Sequence, residues 1–103
     1  MAGRRTLTRA QIIKAIGKHN DVLRQYTVAR LGLFGSYARN RQTKGSDVDF
    51  LVEFTHPTFD NFMGLSKYLE KLLRKKVDLI TNGSLSPYIR PYVDKEVVWH
   101  EVT

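Results

Sequence analysis

Three aspartates and one Gly-Ser pair are the residues of this chain whose types and spacing could do chemistry. Asp47 and Asp49 open an apolar run two residues apart. On a strand, residues so spaced point to the same face with Cα atoms about 6.6 Å apart, so both carboxylates can reach cations above that face. Carboxylates that close repel, and a proton, a basic side chain or a metal ion must relieve the repulsion. Hard oxygen ligands with no His or Cys beside them favour Mg²⁺, or Mn²⁺, over zinc. Asp-x-Asp alone is a weak signal, because exposed aspartates on edge strands are common. Asp78 strengthens it, since an aspartate between Val77 and Leu79 is unfavourable in a strand unless it serves a site or faces water. Three aspartates on two strands could hold a pair of Mg²⁺ ions about 3.5 to 4 Å apart, the arrangement that clamps attacking and leaving oxygens in phosphoryl or nucleotidyl transfer.

Gly35-Ser36 lies upstream of these acids. Glycine lets the backbone approach a phosphate, and the free N–H groups at the start of a short helix, with the Ser36 hydroxyl, can donate to its oxygens. By itself such a pair is more often just a turn. Arg39 and Lys44 stand in the connecting segment and could neutralise a triphosphate, although each is as readily a solvated surface charge.

The elements that must position these residues are legible in the pattern. Thr8 and Gln11 make a capping box, with Leu7 and Ile12 as its hydrophobic staple, and Ile12, Ile13 and Ile16 form the stripe of a first helix that breaks near Asn20. Residues 28–34 (VARLGLF) suit a buried strand ended by Gly35, and a short helix is expected over 36–39. Between Ser46 and Phe54 the alternation is clear: Val48, Phe50, Val52 and Phe54 share one face and Asp47, Asp49 and Glu53 the other, interrupted by Leu51. Asp60 or Asn61 can cap a helix carrying Phe62, Leu65, Leu69, Leu72 and Leu73. Residues 77–81 (VDLIT) read as a third strand, two short helical pieces should meet near Arg90 because Pro91 removes a donor, and a last strand is expected over 97–101. The expected fold class is α+β, or α/β in layers, with helices against a small mixed sheet.

At 103 residues the chain is expected to form one domain, 1–103, with too little length for a separate substrate-binding unit. Seventeen Lys and Arg against ten Asp and Glu give a net charge of +7, which makes polyanions natural partners. The basic residues are spread from Arg4 to Lys95, however, and their densest run, Arg74 to Lys76, reads as a solvated helix end. The absence of cysteine excludes a disulfide framework and a zinc-thiolate site and agrees with a cytoplasmic setting. Arg4, Arg5 and Arg9 are followed by no apolar run of signal-peptide length, and no run approaches the ~20 residues that cross a bilayer. His19, His56 and His100 share no ligand spacing, Tyr92 and Trp99 suit core packing better than a partner surface, and Tyr37 suits base stacking and helix packing equally.

G-S-Y-A-R-N at 35–40 followed by S-D-V-D-F-L-V at 46–52 resembles the Gly-Ser-x-Ala-Arg-Gly and Ser-Asp-x-Asp-Leu motifs of minimal nucleotidyltransferases, the MNT branch of the polymerase β superfamily. The similarity continues through V-D-L-I-T at 77–81 and L-S-P-Y-I-R-P at 85–91, and so covers nearly the whole chain. It implies a nucleotidyltransferase fold that binds ATP with Mg²⁺, transfers AMP to an acceptor and releases pyrophosphate. Gly35 and Ser36 match the phosphate-binding pair, Asp47 and Asp49 the metal-binding pair, and Asp78 the third acidic position, suited to help deprotonate an acceptor hydroxyl. The family includes antitoxins that attach AMP to a tyrosine of a HEPN toxin, so a toxin partner and a homo- or hetero-oligomer are implied. Asn40 departs from the family's glycine, but tolerates the left-handed backbone that such a turn needs. Two other readings stand beside this one: a non-catalytic antitoxin that acts by occlusion, and a nucleic-acid-binding or metal nuclease domain. The last ranks lowest, because the chain lacks a groove-reading helix and an aromatic stacking platform.

Overall fold

The computed structural model describes residues 7–102; Arg4 and Arg5 lie outside them. In chain order it contains α1 (Arg9–Gly17), α2 (Asn20–Gln25), β1 (Val28–Phe34), α3 (Gly35–Ala38), β2 (Val48–Phe54), α4 (Phe59–Leu73), β3 (Val77–Thr81), α5 (Arg90–Glu96) and β4 (Val98–Glu101), with a 3₁₀ turn at Asn82–Ser84. The strands form one mixed sheet in the order β3-β2-β1-β4. β1 runs antiparallel to both β2 and β4, while β2 and β3 are parallel and joined by the α4 crossover. This is the α+β layering expected from the sequence.

Two helices, α1 and α4, begin where a threonine side chain satisfies a first-turn amide. The Thr8 hydroxyl accepts from the Gln11 amide at 3.2 Å and the Gln11 side chain accepts from the Thr8 amide at 3.0 Å, closing the capping box, while Leu7 packs on the core. At α4 the cap is Thr58, not Asp60 or Asn61: its hydroxyl accepts from the Asn61 amide at 3.0 Å. The Asn61 side chain instead donates to the Thr27 hydroxyl and the His56 carbonyl, both at 3.0 Å, and so ties the start of α4 to the connection between α2 and β1. α4 stops at Arg74, whose φ of 56° is left-handed.

The two faces of the sheet differ. Leu31, Leu33, Val48, Phe50, Val52, Val77 and Leu79 form one face, buried under Ile12 and Ile16 of α1 and Leu65 and Leu69 of α4. The opposite face carries a smaller cluster of Phe34, Leu51, Leu85 and Val93, with Ile80, Val97 and Trp99 at its margin. Leu51 interrupts the alternation of β2 because this second face has an apolar cover of its own. The Arg30 guanidinium lies 3.8 Å from the centre of the Trp99 ring and donates to Glu53 at 3.0 Å. Asn82 joins it by donating to the same carboxylate at 2.6 Å, and Arg90 reaches back to the Asn82 carbonyl.

Several boundaries differ from expectation. β2 begins at Val48 rather than Ser46, leaving Asp47 just ahead of the strand. The two helical pieces near Arg90 are a turn, in which the Ser86 carbonyl accepts from the Ile89 and Arg90 amides, followed by α5. Pro91 sits in the first turn of α5, where a missing N–H has no intrahelical partner to lose. Tyr92 is 73% exposed, against the core packing favoured for it, whereas Trp99 is partly buried. No helix of the described residues is long and apolar enough to cross a membrane.

Tyr37 resolves to core packing: it is 1% exposed and belongs to the larger cluster. Its hydroxyl has no hydrogen-bond partner among the described residues. An unsatisfied buried hydroxyl costs about 1–3 kcal/mol, so Tyr37→Phe is expected to raise the melting temperature. A lower value in thermal denaturation would contradict the packing described.

Candidate active site

β1 delivers the chain to Gly35, and the residue there has to be glycine on two counts. Its φ of +77° is left-handed, and an added Cβ would overlap the Asp49 carboxylate. The close approach follows from register, because Asp49 faces Phe34 across the β1–β2 ladder and the turn folds over the end of that ladder. On its other side Asp49 is aligned with Asp78 across the parallel β2–β3 pair. Neighbouring strands stand about 4.8 Å apart, so the two side chains leave the same face as near neighbours. Asp47 and Asp78 are exposed and Asp49 is partly buried.

That crowding changes the acid. Burial, then the charges of Asp78 and Asp47, push Asp49 from the usual carboxylate range to about 6; Glu96 adds to the rise and Arg39 opposes it. The protein's own residues therefore leave the centre short of positive charge. Among the described residues, no three His, Cys, Asp or Glu side chains are gathered so as to hold a metal ion by themselves. The donor set still fits Mg²⁺, which binds through one or two carboxylates and completes its octahedron with water and substrate phosphate. Asp47, Asp49 and Asp78 are the carboxylates from which such ligands could be drawn.

The phosphate side is arranged differently from the sequence expectation. α3 is a single turn in which the Gly35 carbonyl accepts from the Arg39 amide at 3.1 Å, and Ser36 is partly buried at its start. The Gly35 amide donates to Oε2 of Glu96 at 2.6 Å, and Arg39 donates through Nη1 to Oε1 of the same carboxylate at 2.8 Å. Asn40 takes φ 58°, the left-handed backbone expected of it. Lys44 is exposed, and its carbonyl accepts from Lys75 at 2.8 Å. Sequence reasoning misses Glu96, since nothing in Asp94-Lys95-Glu96 distinguishes it from a solvated helix end. A groove of about 370 Å³ bordered by Glu53, Pro57 and Asn82 lies at the other ends of β2 and β3 and includes none of the three aspartates. The histidines are dispersed: His100 bonds Asn20 at 2.7 Å and His19 packs edge-on to Tyr68.

The Gly35 turn thus admits a carboxylate where a side chain would stand, beside paired acids on adjacent strands. Residues 13–100 match the nucleotidyltransferase domain family, and the chain belongs to that family. Among curated relatives, the protein adenylyltransferase MntA of Thermococcus cleftensis is 40% identical over 95 residues, covering 90% of this chain and 96% of its own length. A solved structure provisionally described as a minimal nucleotidyltransferase superposes with a TM-score of 0.76 at 26% identity, covering 94% of this chain and 98% of the other. The MNT antitoxin complex with a tri-AMPylated Shewanella oneidensis HEPN toxin gives a TM-score of 0.61 at 21% identity, over 93% of this chain and 72% of the other, a likeness of fold alone.

Two outcomes follow from this geometry. Gly35→Ala combines a left-handed backbone, which costs a side chain about 1–2 kcal/mol, with overlap on Asp49, and should lower stability by at least that amount in denaturant titration. Asp49→Asn should have the opposite effect. Because the folded carboxyl is raised to about 6, the native state holds more protons than the unfolded chain between the unfolded value of 3.8 and 6. The ionised Asp49 therefore opposes folding above that range, and the penalty fades as pH falls through it. In metal-free buffer at pH 8, the Asp49→Asn substitution should add about 1 kcal/mol of stability, after discounting for solvent screening, and almost none at pH 4.

Proposed function

We propose that this chain is a Mg²⁺-dependent protein adenylyltransferase, which transfers AMP from ATP to a tyrosine hydroxyl of a HEPN-type toxin and acts as its antitoxin. The observation that carries the reading is the alignment of Asp49 with Asp78 on adjacent parallel strands, against the Gly35 turn. Such a pair has a poor energy balance as structure alone, because each charge raises the cost of the other. The family membership and the relative named a protein adenylyltransferase support the chemistry, and the toxin partner is what the resemblance of the motifs at 35–40 and 46–52 to MNT antitoxins implies.

In the proposed reaction the acceptor oxygen attacks the α-phosphorus of ATP, the bond to the bridging oxygen of the β-phosphate breaks, and pyrophosphate leaves. Mg²⁺ held by Asp47, Asp49 and Asp78 would neutralise the triphosphate and the charge developing on the leaving group. Asp78, which is exposed, would take the proton that the acceptor hydroxyl gives up. Ser36 offers a hydroxyl to the phosphates and Arg39 a guanidinium with several free donors. The exposed rim on the Asp47 and Asp78 side leaves access for an acceptor carried by another protein.

The direct test is to incubate the protein with labelled ATP, Mg²⁺ and its HEPN partner. Asp49→Ala should reduce label transfer at least ~100-fold, as expected when a group that supports the transferring phosphoryl is removed. Undiminished transfer in that variant would show the site to be elsewhere. Transfer by the unaltered protein should also fall as pH drops through about 6 at limiting Mg²⁺, because a protonated Asp49 is a poor ligand.

A further inference from the structure

We infer that Glu96 is a positioning residue of this site, a single carboxylate that fixes the Gly35 turn and Arg39 in the geometry that receives the phosphates of the nucleotide. The inference rests on the nucleotidyl-transfer reading and adds to it a residue from the far end of the chain.

α3 consists of four residues, Gly35–Ala38, and a helix that short has no stability of its own. Its orientation must come from what it touches. Glu96, the last residue of α5, holds it at both ends: Oε2 takes the Gly35 amide at 2.6 Å and Oε1 takes Arg39, which caps the C-terminal end of α3, at 2.8 Å. The Glu96 side chain is 16% exposed and that of Arg39 52%, so the acid is the more buried partner and the guanidinium the more accessible one. The arrangement divides the roles of the turn. Gly35 has one amide proton, which cannot serve Glu96 and a phosphate at once, so the phosphate contact at this turn falls to Ser36. Arg39 has five N–H donors, and the contact with Glu96 leaves others for an anion.

Stability alone does not account for the acid. Glu96 meets Gly35 where the Asp49 carboxylate also approaches it, so its charge is added to a centre that already carries Asp47, Asp49 and Asp78. Partly exposed ion pairs contribute only about 0–1 kcal/mol, a small return for a fourth carboxylate at a crowded centre. Fixing the phosphate turn against Asp49 is a function that this placement does serve.

The test compares the unaltered protein with Glu96→Gln and Glu96→Ala, by titration with MgATP and by AMP transfer at saturating partner. Gln keeps an acceptor for the Gly35 amide and loses the ion pair with Arg39; Ala loses both. Glu96→Ala should raise the KM for MgATP at least ~10-fold, since small displacements of a positioning group cost one to two orders of magnitude, while kcat changes less. Glu96→Gln should recover most of that loss and, because it folds with nearly the native contacts, guards against a simple failure of Glu96→Ala to fold. An unchanged KM in Glu96→Ala overturns the inference. Tighter MgATP binding also overturns it, because Glu96 would then be a competitor of phosphate. Equal impairment in Glu96→Gln and Glu96→Ala overturns the assignment to the turn and moves the effect to the charge on Arg39. If the unaltered protein fails to bind MgATP, the nucleotidyl-transfer reading falls and this inference with it, whereas normal binding that the Glu96 variants leave untouched removes this inference alone.

Discussion

A carboxylate that is partly buried and already crowded by its own kind has to be accommodated at the centre of the sheet, and much of the local architecture follows from that. Asp49 has Phe34 on one side and Asp78 on the other, with the chain turning over it at Gly35. Any side chain at Gly35 would occupy the space of its oxygens, and any shift of register by one residue would send the aspartate into the apolar layer beneath α1 and α4. The apolar residues of β2 and β3 therefore do more than fill a core. Val48, Phe50 and Val77, Leu79 lock the two strands in the one register that sets Asp49 beside Asp78.

The unequal covering of the sheet serves the same end. One face is buried thoroughly by two helices, while the other has a small cluster around Leu51 and Val93 and then opens towards the acids. α5 is held over this second face by Val93 within the cluster, by Arg90 on the Asn82 carbonyl and by Glu96 on the Gly35 amide. An apolar floor lies between an ionic network at one end of this sheet surface and the paired Asp49 and Asp78 at the other.

The elements are largely readable from local pattern, because their causes are local. The Thr8–Gln11 box, the alternation through β2 and the helical spacing of Leu65, Leu69 and Leu73 each reflect contacts within a few residues or one periodic face, and the described structure contains all three. Asn40 is legible for the same reason, since a left-handed backbone has few occupants. The cap of α4 differs from expectation because Thr58, Asp60 and Asn61 are all chemically suited and only the path of the chain from β2 decides between them. Tyr92 differs because an aromatic in a short amphipathic segment carries no sign of which face is covered. The types and spacing of the acids point to a shared face, but the partner of the Gly35 amide cannot be read, because Glu96 is distant in sequence and is brought to the turn by the packing of α5 and the pairing of β4 with β1.

That distance bears on how the protein comes into being. β1, α3 and β2 are contiguous, so their antiparallel pairing can form as soon as they leave the ribosome, at a low cost in loop closure. The Gly35 amide meets its acceptor only after 61 further residues have been made and the last strand has docked on β1. During synthesis the turn is thus shaped early and tethered late. A chain interrupted before α5 would carry the three aspartates and the Gly-Ser pair without the contact that joins the turn to the rest of the fold. Completion of this centre is in that sense coupled to completion of the chain.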